Sequence, residues 1–223
     1  MPPKKFDRSL LPPAPDLSFE SELWAAGVGL VAGIDEAGRG ALAGPVAAGA
    51  VILPMRNDLA GLLAGVRDSK QISAKARREQ ADLINAAARG AAVGFASPSE
   101  IDQLGIMPAT RMAALRALAQ LPEPPQHLLI DHITIPGAGL PSTSLTKGDC
   151  RALSIAAASI LAKVARDAVM VQLDGEYPGY GFAENKGYGT AGHRQAIEDL
   201  GPCPLHRMSF APISKDQQPR LFG

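Results

Sequence analysis

Cysteine is nearly missing: Cys150 and Cys203 are the only two in 223 residues. Neither sits in a C-x-x-C spacing. That argues against a zinc cage or a disulfide framework and leaves two free thiols of a reducing compartment as the expectation. Net charge is missing too. The 22 Lys and Arg balance the 22 Asp and Glu, so bulk charge implies no nucleic-acid partner. Any such site has to be a local concentration of Lys and Arg. No long apolar run is present either. The longest uncharged stretch, Gly40–Met55, is broken by Pro45 and Pro54 and is too short for a membrane span. Met1–Leu17 carries Lys4, Lys5 and five prolines, without the apolar centre of a signal peptide. The expectation is a soluble cytoplasmic protein, monomeric by default. What is present is 46% hydrophobic residues, enough for a sizeable core in one large domain, with or without a helical extension.

The order of patterns predicts an α/β fold. Residues 1–19 read as a Pro-rich, loosely packed arm, and Ser21–Ala26 as a short helix. Gly29–Asp35 and Pro45–Leu53 read as strands whose short connection favours an antiparallel pair. Ser73–Arg89 reads as a helix with Ser73 as N-cap and Leu83, Ile84 and Ala87 on one face. A third strand, Ala91–Ala96, and two helices, Ser99–Leu104 and Met107–Leu121, follow. His127–Asp131 is a buried strand ending in an acid, and Ser142–Thr146 a weaker one. Arg151–Leu173 is a long helix, apolar nearly all round, and so central and buried. Its small residues allow close approach to a sheet. After a Gly/Tyr loop comes a last helix, Ala191–Leu200. The expected architecture is a mixed sheet with helices on both faces. The expected division is a main α/β domain over residues 20–175 and a C-terminal helical and loop region over residues 176–223.

Four acids stand at element ends: Asp35, Glu36, Asp131 and Asp149. Strand ends of α/β sheets are where sites assemble. If the first and fourth strands lie side by side, Asp35 and Asp131 come within metal-bridging range, and carboxylate oxygen suits Mg²⁺ and Mn²⁺. Asp35 and Glu36 face opposite ways on an ideal strand, so they share a site only if the strand ends or bulges at Glu36. Taken singly, Asp149 is equally an N-cap for the long helix, and Asp35 and Asp131 are equally solvated strand ends. Asp167 reads as an ion-paired acid.

Gly38-Arg39-Gly40 follows the acidic pair. Its backbone can approach a ligand closely, and Arg39 can fork onto a phosphate. A tight turn is the ordinary alternative, and no G-K-[ST] makes it a P-loop. Lys70 in Asp68-Ser69-Lys70 can meet a phosphate. Lys186 and Tyr188 lie in a Gly-flanked loop where an exposed ring can stack on a sugar or base. The alternative is a tyrosine packed back on the core. His206, Arg207 and Ser209 would add donors, or else be surface polarity.

Taken together these segments form a specific pattern. Gly33–Pro45 reads GIDEAGRGALAGP, followed by DSK at Asp68–Lys70, LIDHI at Leu129–Ile133 and KGD at Lys147–Asp149. Then come IAAASILAKVARD at Ile155–Asp167, YPGYGFAENKGYGT at Tyr177–Thr190 and HRMSF at His206–Phe210. In this order they resemble the ribonuclease HII family from about residue 20 to 212. The resemblance implies a ribonuclease-H-like α/β domain with a helical C-terminal region. It implies four catalytic, metal-binding acids at Asp35, Glu36, Asp131 and Asp149. It implies that Gly38, Arg39 and Gly40 sense a ribonucleotide 2′-OH through backbone groups. Tyr188 would read the RNA–DNA junction and Lys70 would contact phosphate. Asn185 stands where many relatives have His, and Cys203 where Ser is usual.

The implied activity is an endonuclease that hydrolyses the RNA strand of RNA–DNA hybrids. It would cut 5′ to ribonucleotides embedded in duplex DNA and leave a 5′-phosphate, serving DNA repair. The implied cofactors are two Mg²⁺ or Mn²⁺ ions, with Asp35 shared between them. A replication clamp is a further partner that the short tail Gln217–Phe222 neither supports nor excludes. The rival enzyme type, which prefers long hybrids, typically carries an added N-terminal domain for which the arm leaves no room. A junction resolvase would not require GRG or KGYGT. A non-catalytic nucleic-acid-binding protein on the same fold would be expected to lose one of the four acids.

Overall fold

The computed structural model describes residues 11–56, 58–67, 69 and 72–213. Lys70 and the tail Gln217–Phe222, both named above, lie outside the described residues. A five-stranded sheet is built from β1 (Val31–Ala37), β2 (Val46–Ile52), β3 (Gly90–Ala96), β4 (His127–Asp131) and β5 (Ser142–Leu145), in the spatial order β3-β2-β1-β4-β5. The β1–β2 and β2–β3 pairs are antiparallel, and β1–β4 and β4–β5 are parallel. The first and fourth strands do lie side by side.

Alternation along the strands divides the core. Ala32, Ile34, Ala48 and Ala50 point to one face. There they meet Ala109, Ala113 and Ala117 of α5 (Ile106–Ala119), which follows α4 (Pro98–Leu104). Val51 and Leu53 point to the other face. That face carries α3 (Ala74–Ala87) and α6 (Leu153–Glu176). Each fully buried Val, Leu or Ile side chain among these contributes roughly 1.5–3 kcal/mol. The first ten residues of α6, Leu153–Ala162, are all buried.

This helix sits directly on the sheet. A Cβ at Gly33 would fall 2.2 Å from the Ser154 carbonyl carbon, and one at Gly49 would fall 2.3 Å from the Ala158 oxygen. No larger residue fits at either place. Because Gly33 and Asp35 are two apart on β1, Asp35 shares the face against α6.

Sequence and structure differ in places. In α3, Ser73 caps as expected, accepting from Ala76 N–H at 3.2 Å. The buried stripe, however, is Ala81, Ile84 and Ala87, and Leu83 is 39% exposed. One residue along a helix is 100° of turn, which carries Leu83 off that stripe. A short α2 (Leu59–Leu62) and α7 (Phe182–Asn185) fall where the sequence shows only loop. The arm is not loose at its inner end. Asp16 bridges Ala152, and α1 (Ser18–Ala25) begins two residues later. The segment after α6, including α8 (Ala191–Leu200), packs on Leu42, Ala43 and Met170 through Tyr180, Phe182, Ile197 and Ile213. No helix among the described residues is long and apolar enough to cross a membrane.

Candidate active site

Parallel pairing of β1 with β4 runs to Ile34 opposite Ile130. The next residue on each strand is therefore the acid, Asp35 beside Asp131. Asp149 comes from the 3-10 turn Gly148–Cys150 ahead of α6. One carboxylate oxygen from each of Asp35, Asp131 and Asp149 lies within 4.8 Å of the others. The turn is held to the strand by Gly148 N–H, which donates to Asp131 Oδ1 at 2.7 Å.

Asp149 does not cap the long helix. The N-cap is Ala152, with no side-chain cap bond, and the helix starts at Leu153 rather than Arg151. A terminus this deep needs another acceptor for its N–H groups. Buried Glu20 supplies one, taking Ser154 N–H on Oε1 at 2.8 Å. Nothing in the sequence singles out this residue. Burial, the largest cause, pushes the Glu20 carboxyl above its ordinary range.

Asp35 is 7% exposed, and its carboxyl is held well above the usual carboxylate range. Burial is the main cause, followed by the negative charges of Glu36 and Asp131. Bonds from Ser159 and from Glu36 N–H, the latter at 2.7 Å, oppose it. Like charges about 4 Å apart repel by roughly 4 kcal/mol at an effective dielectric of about 20. Such a trio is stable as anions only beside a compensating cation. All-oxygen, anionic donors are the set that Mg²⁺ and Mn²⁺ take, so the residues fit such an ion.

Glu36 is the fourth acid. The β1–β2 register continues unbroken through Ala37 opposite Ala47, so no bulge turns it toward Asp35. Its Oε1 accepts from Arg39 Nη1 at 2.7 Å. The carboxylate is close enough to act on Asp35, but it lies outside the group of three.

Next to the acids opens a cleft of about 540 Å³, lined by Gly38, Arg39, Gly40, Ser69, Lys163 and Tyr188 along with Glu36 and Ser159. Gly38 has φ +87°, and a Cβ there would strike Arg166 Nε at 1.8 Å. Glycine is thus required for both backbone shape and space. Gly40 is exposed at the rim. Half-buried Tyr188 has Lys163 Nζ 5.4 Å and the Arg166 guanidinium 5.3 Å from its ring centre. Asp167 is the ion-paired acid expected, bridging Lys163 at 2.7 Å.

Four residues read as substrate donors stand elsewhere. His206 and Arg207 are buried, at 1% and 0% exposed, so neither surface polarity nor direct substrate contact describes them. Arg207 donates to the Gly44 carbonyl from Nε and Nη2 and to the Arg39 carbonyl from Nη1. Lys186 turns its ammonium onto the Ala183 carbonyl and lines a neighbouring cavity beside Arg78. Ser209 is taken by Asp102, at 2.6 Å from its hydroxyl.

Residues that the sequence reading passed over do much of the positioning. Arg166 binds the carbonyls of Pro45, Lys186 and Ala43, joining the segment after GRG to the Lys186–Tyr188 loop. Ser159, Lys163, Arg166 and Met170 recur at helical spacing along an otherwise apolar helix. That polar stripe is the signal that could have found the first three. Asn185 pins its loop by donating to Tyr180 O and accepting from Gly187 N–H, both at 2.7 Å.

Solved structures share this fold. A ribonuclease H2 from Pyrococcus horikoshii OT3 superposes with a TM-score of 0.71 at 26% identity, over 83% of this chain and 96% of that one. The crystal structure of Bst-RNase HIII in complex with Mn²⁺ gives 0.60 at 25% identity, over 86% and 71%. The class is a ribonuclease-H-type endonuclease. The Ribonuclease HII family model matches residues 32–213. A Ribonuclease HII from Chloroflexus aurantiacus is 52% identical over 200 residues, 89% of this chain and 94% of that protein. The chain belongs to the ribonuclease HII family.

Proposed function

We propose that this chain cuts the RNA-containing strand of RNA–DNA hybrids and cleaves on the 5′ side of single ribonucleotides in duplex DNA. The observation that carries the reading is the convergence of Asp35, Asp131 and Asp149 within 4.8 Å, beside a cleft that holds GRG and Tyr188. Asp35, Asp131 and Asp149, with Glu36 adjacent, would hold a pair of Mg²⁺ or Mn²⁺ ions. When bound, these would activate water for in-line attack and stabilise the leaving 3′ oxygen.

The chain's own residues supply selection. The backbone of Gly38–Gly40, packed against the Arg166 side chain at Gly38 and held at the Arg39 carbonyl by Arg207, presents polar groups to the 2′-OH that only RNA carries. Tyr188 offers its ring to the sugar that follows, where a further 2′-OH would crowd it. Lys163 places positive charge in the same cleft for a phosphate.

The test is a duplex containing one ribonucleotide, incubated with Mg²⁺ and separately with chelator. A nick 5′ to the ribonucleotide, with a 5′-phosphate and only with metal, supports the reading. An intact strand, or equal cutting of an all-DNA duplex, overturns it.

A further inference from the structure

Two buried histidines lie outside the acid cluster and have no part in the chemistry above. His193 Nε2 and His206 Nε2 face each other at 3.1 Å. His193 Nδ1 lies 2.9 Å from the Tyr188 carbonyl, and His206 Nδ1 lies 2.9 Å from Cys203 N–H. We propose that His193 and His206 form a relay of two neutral imidazoles with fixed, opposite tautomers, and that this relay positions Tyr188. Both are then positioning residues. Their bearing on junction reading rests on the role given to Tyr188 above.

The tautomers follow from the two ends. A carbonyl oxygen only accepts, so His193 Nδ1 carries a proton and donates to Tyr188. His193 Nε2 is then a lone pair, so His206 Nε2 must donate to it. That leaves His206 Nδ1 as the acceptor that Cys203 N–H requires. Every link is satisfied with one proton on each ring. The Cys203 carbonyl also lies 3.2 Å from His206 Nδ1 and would draw a proton there. Moving the proton would set N–H against N–H at Cys203 and lone pair against carbonyl at Tyr188. The reverse chain therefore carries two repulsive contacts where the first carries one weak one. Adding a proton to either ring likewise puts two N–H groups face to face.

The surroundings hold the rings in place. His193 and His206 are 0% and 1% exposed. Phe182 meets His193 edge-on at 5.4 Å, and Tyr180 tilts against His206 at 5.0 Å. Burial pushes both imidazoles down, His206 to about 4, which keeps the pair neutral at pH 7. His193 is itself fixed at the start of α8, where Thr190 Oγ1 accepts its backbone N–H at 3.2 Å. The Tyr188 carbonyl accepts from Thr190 N–H as well as from the relay. The backbone of Tyr188 is thus tied on this side, while its ring meets Lys163 and Arg166 on the other.

The test is a long-range ¹H–¹⁵N spectrum of the ring nitrogens in the intact protein at pH 7.5. His193 is expected as the Nδ1–H tautomer and His206 as the Nε2–H tautomer. The opposite pair, or a charged ring, overturns the relay whether or not Tyr188 reads junctions. The functional arm compares cutting at a single ribonucleotide with cutting inside a ribonucleotide run. His193→Asn can still donate to the Tyr188 carbonyl and is expected to keep that ratio near wild type. His193→Leu is expected to lower it several-fold, with KM moving more than kcat. Equal ratios in these two variants and wild type, while Tyr188→Ala shifts the ratio, would refute positioning by the histidines. No shift in Tyr188→Ala would remove the junction role of Tyr188 and leave the tautomer spectrum to decide the relay.

Discussion

Arg207 donates to the backbone carbonyl of Arg39 at 3.0 Å, across 168 positions of chain. The contact ties the last segment of the protein to the segment that follows the first two acids. It explains how a buried arginine acts on a site it does not touch. Arg207→Met should leave the Gly44 and Arg39 carbonyls without their donor. Each such buried group costs about 1–3 kcal/mol. The expected result is a urea midpoint lowered by a loss of roughly 2–4 kcal/mol, with a raised KM for the ribonucleotide duplex. A variant with unchanged midpoint and KM would show that the clamp is idle.

Asp35→Asn should abolish cleavage, retain duplex binding, and stabilise the metal-free protein. The sign follows from burial and like charge, which raise this carboxyl in the fold. Above the unfolded value near 3.8, the unfolded chain is ionised first and holds fewer protons than the folded one. Stability therefore falls as pH rises toward the folded value. Removing the charge removes that penalty. Thermal melts at neutral pH are expected to shift up by about 2–4 °C, the change made by each kcal/mol in a chain of this size. Added Mg²⁺ should raise the wild-type melting temperature more than that of the variant.

The histidine pair predicts a second pH dependence of opposite sense. Both rings are depressed, so below about pH 6.5 the unfolded chain takes up protons that the folded one refuses. Stability is full at neutral pH and declines as pH falls from 6.5 toward about 4. The loss assignable to His206 is on the order of 2–3 kcal/mol. Urea melts of wild type and His206→Phe between pH 7.5 and 4.5 check it. The variant should show the flatter profile.

Tyr188→Ala should cut without preference for the RNA–DNA junction while retaining most turnover on long hybrids. Gel mapping of products from one mixed duplex reads this directly. A wild-type cutting pattern would mean that the ring serves only to cover Lys163 and Arg166. Binding in both proteins should weaken steeply with added salt, since phosphate contacts dominate.

Much of the site was legible because its acids close apolar runs. HLLID and VAGID each announce a strand, and two strands paired in parallel with Ile34 beside Ile130 bring their terminal acids together. Asp149 was ambiguous, since the same position suits a helix cap. Only the cap at Ala152 removes that reading. Glu36 illustrates the limit of strand logic. Strand alternation turns it away from Asp35, and the structure keeps the strand regular while Glu36 pairs with Arg39 and lines the cleft beside the other three acids. Glu20, His193 and Arg207 could not be read as structural from sequence. Their partners come mostly from distant parts of the chain, as with Glu20 and Ser154 at a separation of 134 residues. Leu83 was misplaced because two neighbouring apolar residues cannot both centre one helical stripe.

Joint binding of divalent metal by Asp35, Asp131 and Asp149 is tested most directly by Mn²⁺ titration followed by electron paramagnetic resonance, with a phosphorothioate-blocked ribonucleotide duplex bound. Wild type should bind Mn²⁺, and Asp35→Asn, Asp131→Asn and Asp149→Asn should each lose most of that binding while still holding the duplex. Mn²⁺ bound as tightly by all three variants as by wild type would contradict the account.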